Sequence, residues 1–436
     1  MKGLIFTYAL TYGGAVYSLF RPFYGLLIYV AFSILRPESL WFWSVPKGNY
    51  SRIVAIALLI GWAMNGFGNW RLGKGRTMLV CFVGFWGWAV LSTLVAALFP
   101  DRGYAYLESM AKILLPFMVG LTVIENIEQI KQLAWTIALC TSYVALELNN
   151  AYYSGYNRLQ LDGFGTMDNN SMAIQLVSAI GFIFFLGFAA RAWWQKLIAA
   201  GGLLLMTNAV MFSFSRGGLL SLIVTAGAAF LLIPKRPVHY LTFLAAVAAG
   251  VRLAGTEVLA RFWTTFVDKE QRDYSAESRL DLWGNCWTLM LENPVFGVGP
   301  DHFPYYAQNR FGWTVGKEAH SLWFQTGAEL GFIGVGFLIA FYLGCMAYLW
   351  PLTRNRFSTS EPGLRDLARM VIASLVGFMV SSQFVSLEGL ELPYYVVLVG
   401  AAALKVAPNY SLAVMPNSAV TNGQFAGWPL SSQGNL

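Results

Sequence analysis

The sequence contains few charged residues for its length. Only 12% of the 436 residues are Asp, Glu, Lys or Arg, whereas a soluble domain carries about 25%. Apolar residues make up 57% of the chain. A soluble fold of this length could not hide so much apolar surface, because a large part of any such fold stays exposed. The composition therefore indicates an integral membrane protein.

Cysteines, clustered basic residues and metal-binding motifs are also scarce. Three of the four cysteines lie inside apolar segments and Cys286 stands alone, so neither a disulfide framework nor a metal cluster is predicted. The net charge of +7 is scattered, which argues against a nucleic-acid partner. No HExxH motif or compact carboxylate cluster is present, and we expect no metal and no cofactor. Arg21-Pro22 follows the first apolar stretch without a small-residue cleavage site, so we expect no cleaved signal peptide.

The apolar residues are grouped into segments that approach the roughly 20 residues needed for a membrane-spanning helix. Helices are expected because lipid offers no hydrogen-bond partner to an unpaired backbone group. We predict an all-α polytopic membrane protein with about 12 or 13 transmembrane helices. The segments are 4–19, 22–37, 53–68, 78–99, 110–124, 131–148, 172–190, 197–213, 217–234, 239–255, 321–350, 367–386 and 392–407.

Lys and Arg residues in the short connectors predict the orientation of the chain. The connectors that begin near Arg71, Arg191, Lys235 and Arg354 each carry two or three of them, and alternation places all four in the cytoplasm. The other connectors then lie outside, namely 38–52, 100–109, 149–171, 256–320 and 387–391. The first two apolar segments are joined by Arg21-Pro22 and form either two spans or one interrupted element, which gives 13 or 12 spans.

The predicted organisation has four parts. Residues 1–255 carry the N-terminal transmembrane helices, and residues 256–320 form a periplasmic loop. Residues 321–407 carry the C-terminal transmembrane helices. Residues 408–436 are rich in Asn, Ser, Gly and Pro with few charges, and we expect a flexible tail.

The connector 256–320 is far longer than a typical loop, and long loops usually have a function. Within it, the stretch Glu277–Glu292 has a helical spacing of apolar residues that gives one apolar face, consisting of Leu280, Trp283, Trp287 and Leu291. Asn293-Pro294 ends this helix, and Gly297–Pro300 has the composition of a turn. We predict short amphipathic helices over the outer membrane surface, with the functional site beside them.

Four ionisable residues near this connector are candidates for function. Arg216 follows an apolar segment, Arg279 begins the amphipathic stretch, and His320 and Glu329 flank the start of a span. Each has a plain alternative: an arginine whose charge reaches the interface, a solvated charge, a structural histidine, a neutral or paired acid. The guanidinium fork of Arg matches phosphate oxygens, and His can accept a proton from a hydroxyl. Together they suit displacement of a pyrophosphate by an acceptor hydroxyl.

Several motifs in the same order resemble the O-antigen ligase and Wzy-type polymerase family of bacterial envelope proteins. The N-terminal stretches Arg21–Gly25 and Leu35–Leu40 resemble the ligase-like variants found with exosortase systems. The motifs that carry the main resemblance are Asp168–Ala173, Ser215–Gly218, Ser278–Trp283, Glu292–Pro300 and His320–Gly331.

The resemblance implies a metal-independent glycosyltransferase of the bacterial inner membrane, with its active site on the periplasmic side. It would move a glycan from undecaprenyl pyrophosphate to an acceptor. By motif position, Arg216 and Arg279 would hold the pyrophosphate and His320 would lie beside the acceptor hydroxyl. The candidate substrate-binding residues are Asn170, Trp283 and Glu329. Many relatives have Asn shortly after the motif's His, where this chain has Ser321-Leu322-Trp323, so the acceptor stays open.

Three functions compete at this point. A ligase would transfer a completed glycan to lipid A core, to a protein or to another lipid. A polymerase would extend one lipid-linked glycan with another. A transporter or flippase would perform no chemistry, but such proteins often show paired halves with a site at the midplane. The sequence has no evident internal repeat, which favours the two transferases.

Overall fold

The computed structural model describes residues 2–245, 247, 248, 250, 252, 274–354, 363–386 and 390–407. Across these residues the chain is helical, with no strand beyond an isolated bridge between Phe164 and Met167. We number the longer helices α1 Lys2–Phe20, α2 Pro22–Leu35, α3 Tyr50–Met64, α4 Arg76–Ala96, α5 Pro100–Val123, α6 Ile127–Tyr153, α7 Asn169–Ala189, α8 Trp193–Phe212, α9 Arg216–Leu232, α10 Tyr274–Glu292, α11 Phe303–Phe311, α12 Leu322–Leu349, α13 Leu364–Ser381 and α14 Leu392–Val406.

Seven helical stretches in the described part of the chain are long and apolar enough to cross a membrane. Three shorter apolar helices, α3, α9 and α14, accompany them. The chain is therefore an all-α polytopic membrane protein, as its composition predicted. The segment predicted at 239–255 lies only partly within the described residues, where 237–245 are helical. Residues 256–273 of the long connector and the tail 408–436 lie outside them.

The first two apolar segments form a hairpin. Gly14 of α1 lies against Ile28 of α2, and Gly25 of α2 lies against Ser18 of α1. These paired positions show that the chain reverses direction at Arg21, where the backbone leaves the helical region. The first two apolar segments are therefore two antiparallel helices and not one interrupted helix.

The stretch 100–109, predicted as an outer connector, is helical and forms the first turns of α5. Pro100 occupies the first helical position and Asp101 lies in the first turn. Both residue types favour a helix start: Pro needs no amide partner there, and the carboxylate interacts with the helix dipole. The charged residues of this stretch lowered its hydropathy without ending the helix.

Helix α7 lies at the centre of the bundle and packs against α6, α8, α9 and α13. Small residues permit this close packing, as they do in other membrane bundles. A Cβ on Gly181 of α7 would lie 2.4 Å from Oγ of Ser374 in α13. A Cβ on Gly377 of α13 would similarly meet the side chain of Thr225 in α9. Helices α7, α9 and α13 thus form the rigid support for the residues at their ends.

Helix α10 has two apolar faces. The face that packs inward consists of Leu282, Cys286 and Leu289, which are completely buried and contact residues of α11. The face predicted from the sequence is instead largely exposed, since Leu280 and Trp287 are 50% and 45% accessible. The helix is confirmed, but of its predicted apolar face only Trp283 packs well into the protein, while Leu280, Trp287 and Leu291 are largely exposed.

Helix α12 is broken at Gly331, whose φ of 69° is not helical. The segment after α10 lies in this break and bonds to it. Val298 N donates to the oxygen of Ala328 at 3.0 Å, and Phe332 N donates to the oxygen of Pro294 at 2.9 Å. Backbone groups that the break would leave unpaired in an apolar environment are thereby paired. The glycine-rich motif therefore fastens the long connector to a membrane helix.

The close contact at this break predicts a stability difference between two glycines. Gly297 has φ of +66°, and a Cβ there would lie 2.3 Å from the carbonyl carbon of Glu329. Gly312 has φ of +76° with open space around it. Alanine at either position bears left-handed strain of about 1–3 kcal/mol, but only Gly297→Ala adds a clash, worth roughly 1–3 kcal/mol more.

We expect Gly297→Ala to lower the melting temperature in detergent clearly more than Gly312→Ala does. The measurement is thermal unfolding of the purified variants beside the parent protein. Equal losses would show that the segment does not occupy the break tightly.

Candidate functional site

Helices α7 and α9 begin at the same end of the bundle, which we call the site end. The side-chain amide of Asn169, the first residue of α7, donates to the oxygen of Ser213 at 2.8 Å. One turn along, a Cβ on Gly218 of α9 would lie 2.7 Å from Cβ of Ala173 in α7. The two helices therefore run side by side in the same direction from this end.

Helix α12 begins at the site end as well, through the segment that follows α13. Leu322 N donates to the oxygen of Ser382 at 2.9 Å, and Phe384 lies against Gly217 in the first turn of α9. Three helix N-termini thus meet around one region. Each N-terminus carries a partial positive charge from the helix dipole, which favours a bound anion.

Arg216 is the first residue of α9 and is half-buried. The preceding Ser215 caps the helix, its Oγ accepting from Gly218 N at 3.1 Å. Phe214 has φ of +54°, a left-handed backbone that a bulky residue rarely adopts. Strained backbone of this kind is common at functional sites. Here it fixes the position at which α9 and its first residue, Arg216, begin.

Arg279 reaches the site end because Trp283, one turn later on α10, holds the connector that follows α11. The indole of Trp283 donates to the oxygen of Ala319 at 3.0 Å. The ring also stacks on Phe324 of α12, with centroids 5.5 Å apart. With its N–H used in this way, Trp283 positions the residues around it, and its predicted part in substrate binding stays a prediction.

His320 follows Ala319 and lies next to the start of α12. It is half-buried and has φ of +51°. Burial, together with the nearby charges of Arg279 and Lys317, lowers the pKa of His320 to about 4, while Asp168 acts in the opposite direction. The imidazole is therefore neutral at pH 7 and has a nitrogen lone pair free to accept a proton.

Asp168 is a member of this site that our list of candidates omitted. It caps α7, its Oδ1 accepting from Ser171 N at 2.8 Å, and Asn170 donates to its other oxygen at 3.2 Å. Burial acts to raise the pKa of Asp168, but the hydrogen bonds from Ser171 outweigh this effect and lower it. An aspartate before a helix is a recognisable N-cap signal. The negative charge of Asp168 also acts to raise the pKa of His320.

Glu329 is almost completely buried in α12, with 1% of its surface accessible. Its carboxylate accepts from the backbone N–H of Asp301 at 2.9 Å and of Phe303 at 3.1 Å. It therefore supports the start of α11, where amides lack intrahelical partners. These contacts fit a structural carboxylate better than a substrate contact, although substrate binding by Glu329 stays a prediction.

Gln325 links Glu329 to the residues beside His320. Its amide nitrogen donates to Glu329 at 3.3 Å. Its amide oxygen accepts from Ala319 N at 3.1 Å and from Ser386 Oγ at 2.6 Å. The carboxylate of Glu329 is thus linked, through the side chain of Gln325, to the connector that carries His320.

The two other histidines have structural positions. His302 is completely buried, its Nε2 accepting from Phe99 N at 2.9 Å while its Nδ1 bonds the oxygen of Pro300 at 2.7 Å. His239 bonds the oxygen of Pro234, in the connector that follows α9. Among the histidines, only His320 lies with the two arginines.

The cations gathered at the site end suit an anionic ligand. Arg216 and Arg279 contribute fixed charges, Lys317 adds a third, and the helix N-termini add partial positive charge. In the described parts of the chain, no three His, Cys, Asp or Glu residues lie close enough to hold a metal ion. A phosphate or pyrophosphate group has the charge and geometry that this arrangement can bind.

Comparison with known families gives a match for the part of the chain that carries the two arginines and His320. Residues 201–339 match the family described as O-antigen ligase. This region of the chain therefore belongs to an O-antigen ligase-like family. Arg216, Arg279 and His320 all lie in the matched region of this ligase-like protein. Residues 1–188 match a family of unknown function, DUF5935, which contributes Asp168 to the site. No curated protein matches the chain.

Proposed function

We propose that this ligase-like membrane protein transfers a glycan from undecaprenyl pyrophosphate to an acceptor hydroxyl at the periplasmic face of the inner membrane. Arg216 and Arg279 bind the pyrophosphate. The acceptor oxygen attacks the anomeric carbon of the sugar while His320 takes its proton. The bond from sugar to pyrophosphate breaks, and the pyrophosphate stays on the lipid.

The observation that carries this proposal is the meeting of two arginines, three helix N-termini and a neutral histidine at one end of an apolar bundle. Preorganised cations stabilise the charge that develops on the leaving pyrophosphate. A neutral histidine next to them can accept the hydroxyl proton without competing for the phosphate oxygens. The position at a bundle end favours a lipid-borne donor, whose head group lies at the membrane surface.

Ligase and polymerase share this donor chemistry and differ in the acceptor. A transporter is the third possibility, but Arg216 and His320 lie where helices begin and not along their middles, which disfavours a translocation site. Transfer is further supported because the acceptor hydroxyl must lose a proton, and a histidine beside the arginines can accept it.

A reconstituted assay tests the proposal. Purified protein in liposomes receives an undecaprenyl-pyrophosphate-linked oligosaccharide together with candidate acceptors: lipid A core, a second lipid-linked glycan, and a protein. We expect a glycosylated acceptor and released undecaprenyl pyrophosphate in equal amounts. The acceptor that becomes glycosylated separates ligase from polymerase. Movement of intact donor across the bilayer without glycan transfer would reject the proposal in favour of a flippase.

A further inference from the structure

The N-terminal matched region reaches the site through Arg36. This residue lies between α2 and the short helix Pro37–Leu40, with φ of +43°. Its Nη1 donates to Thr166 Oγ1 at 3.0 Å, in the connector between α6 and α7. The contact joins residues that are 130 positions apart in the sequence, and Thr166 stands two residues before Asp168.

The turn that Arg36 contacts is tightly formed. Phe164 N donates to the oxygen of Met167 at 2.9 Å, and Met167 N donates back at 3.1 Å. Between them, Gly165 has φ of +66°, and a Cβ there would lie 2.6 Å from Nη1 of Arg36. Glycine is therefore needed for the guanidinium to reach Thr166. The turn ends directly at the N-cap of α7.

A second arginine holds the other side of this connector. Arg158 donates to the backbone oxygen of Ser39, and its guanidinium lies over the rings of Phe42 and Phe164, at 5.1 Å and 5.7 Å. Cation–π contacts of this kind hold an arginine side chain in place more firmly than solvation of its charge does. Residues 36–42 therefore contact the connector between α6 and α7 at two points.

The starts of α7 and α12 meet at the site end, so Asp168 before α7 and His320 before α12 lie in one region. The charges that act on His320 there are Arg279 of α10, Lys317 of its own connector, and Asp168. Glu318, beside His320 in sequence, lies near Asp168. Only Asp168 favours a positive charge on the imidazole. Resting on the proposed function, we propose that Asp168 stabilises the imidazolium formed when His320 takes the acceptor proton, and that Arg36 is the positioning residue that holds Asp168 there.

The proton balance of this arrangement is simple. Before transfer, Asp168 is an anion and His320 is neutral. After transfer, the proton from the acceptor hydroxyl resides on His320, and Asp168 faces a cation without taking the proton itself. The negative charge of Asp168 thus offsets part of the repulsion that Arg279 and Lys317 exert on the protonated His320.

The kinetic test compares variants that differ in one charge or one bond. Asp168→Asn should lower the transfer rate about tenfold or more while donor affinity stays unchanged. Thr166→Val removes the bond to Arg36 without changing any charge and should lower the rate in the same direction, whereas Thr166→Ser should keep it. Arg21→Ala, at the opposite end of α2, should have no effect. A normal rate for Asp168→Asn would overturn the proposal.

A titration of His320 gives a readout that does not require transfer. The ring signal is followed by NMR in the Arg279→Gln background, where loss of the guanidinium brings the pKa into an accessible range. Adding Asp168→Asn should lower this pKa by about one unit, and adding Thr166→Val should lower it as well. An unchanged pKa in both would reject the pairing even if the parent protein transfers glycan. Absence of transfer by the parent protein would instead reject the proposed function and leave the charge pairing standing.

Discussion

Arg216→Ala and Arg279→Ala should each reduce glycan transfer about 100- to 1,000-fold, the usual loss when one charge-stabilising contact at a reacting centre is removed. Both proteins should reach the membrane in normal amounts, because both arginines are only half-buried at the end of the bundle. Lysine should restore either site only in part, since it keeps the charge but loses the planar fork that matches two phosphate oxygens. The measurement is the transfer rate of purified variants with a lipid-linked donor, beside a direct donor-binding assay.

Arg310→Ala is the matched control. Arg310 lies in the same matched region. Its guanidinium donates two hydrogen bonds to the carboxylate of Glu292, and one of them is 2.7 Å long. Exposed ion pairs contribute about 0–1 kcal/mol, so this variant should transfer glycan at a nearly normal rate. Near-normal transfer by Arg216→Ala or Arg279→Ala would show that the replaced arginine is only an interfacial or solvated charge.

His320→Ala should lower the transfer rate by about 100- to 10,000-fold while sparing donor affinity, because the arginines carry the binding. His239→Ala, in the connector that follows α9, should leave the rate unchanged. His302→Ala should instead reduce the amount of folded protein, since this buried ring bonds two backbone groups. A loss of donor affinity in His320→Ala would place His320 in the pyrophosphate clamp.

The pH dependence provides a sharper test of the same residue. A base works when deprotonated, and the pKa of His320 is lowered to about 4. The rate constant kcat/KM should therefore stay level as pH falls through 6.5 and decline only near pH 4. Arg279→Gln removes one of the charges that lower this pKa, so the decline should move to higher pH. A decline centred near 6.5 in the parent protein would contradict the environment described for His320.

Sequence patterns predicted the helices well because lipid and a packed protein interior are both apolar. The same fact hid which side of a helix faces the protein. Leu280 and Trp287 were placed correctly on one apolar face of α10, yet the face that packs inward carries Leu282 and Cys286. Since lipid is as apolar as leucine, hydropathy does not separate the two faces. The contacts with α11 and α12 decide which face packs inward.

The candidate site was predicted in part. Residue chemistry and motif order selected Arg216, Arg279 and His320, and the fold brings elements carrying all three to one end of the bundle. The electrostatic effect of Asp168 on His320 could not be predicted, because the two residues lie in connectors more than 150 residues apart. Glu329 was selected for being an acid in an apolar run. The bonds that occupy its carboxylate come from the start of α11, which local sequence does not reveal.

The break in α12 has a mechanical consequence. Because the segment around Val298 completes the hydrogen bonds on both sides of Gly331, the first turns of α12 and the helices α10 and α11 move as one body. This body cannot open like a lid without unpairing backbone groups in an apolar environment. Any displacement of Arg279 on donor binding is therefore transmitted to α12 on both sides of Gly331.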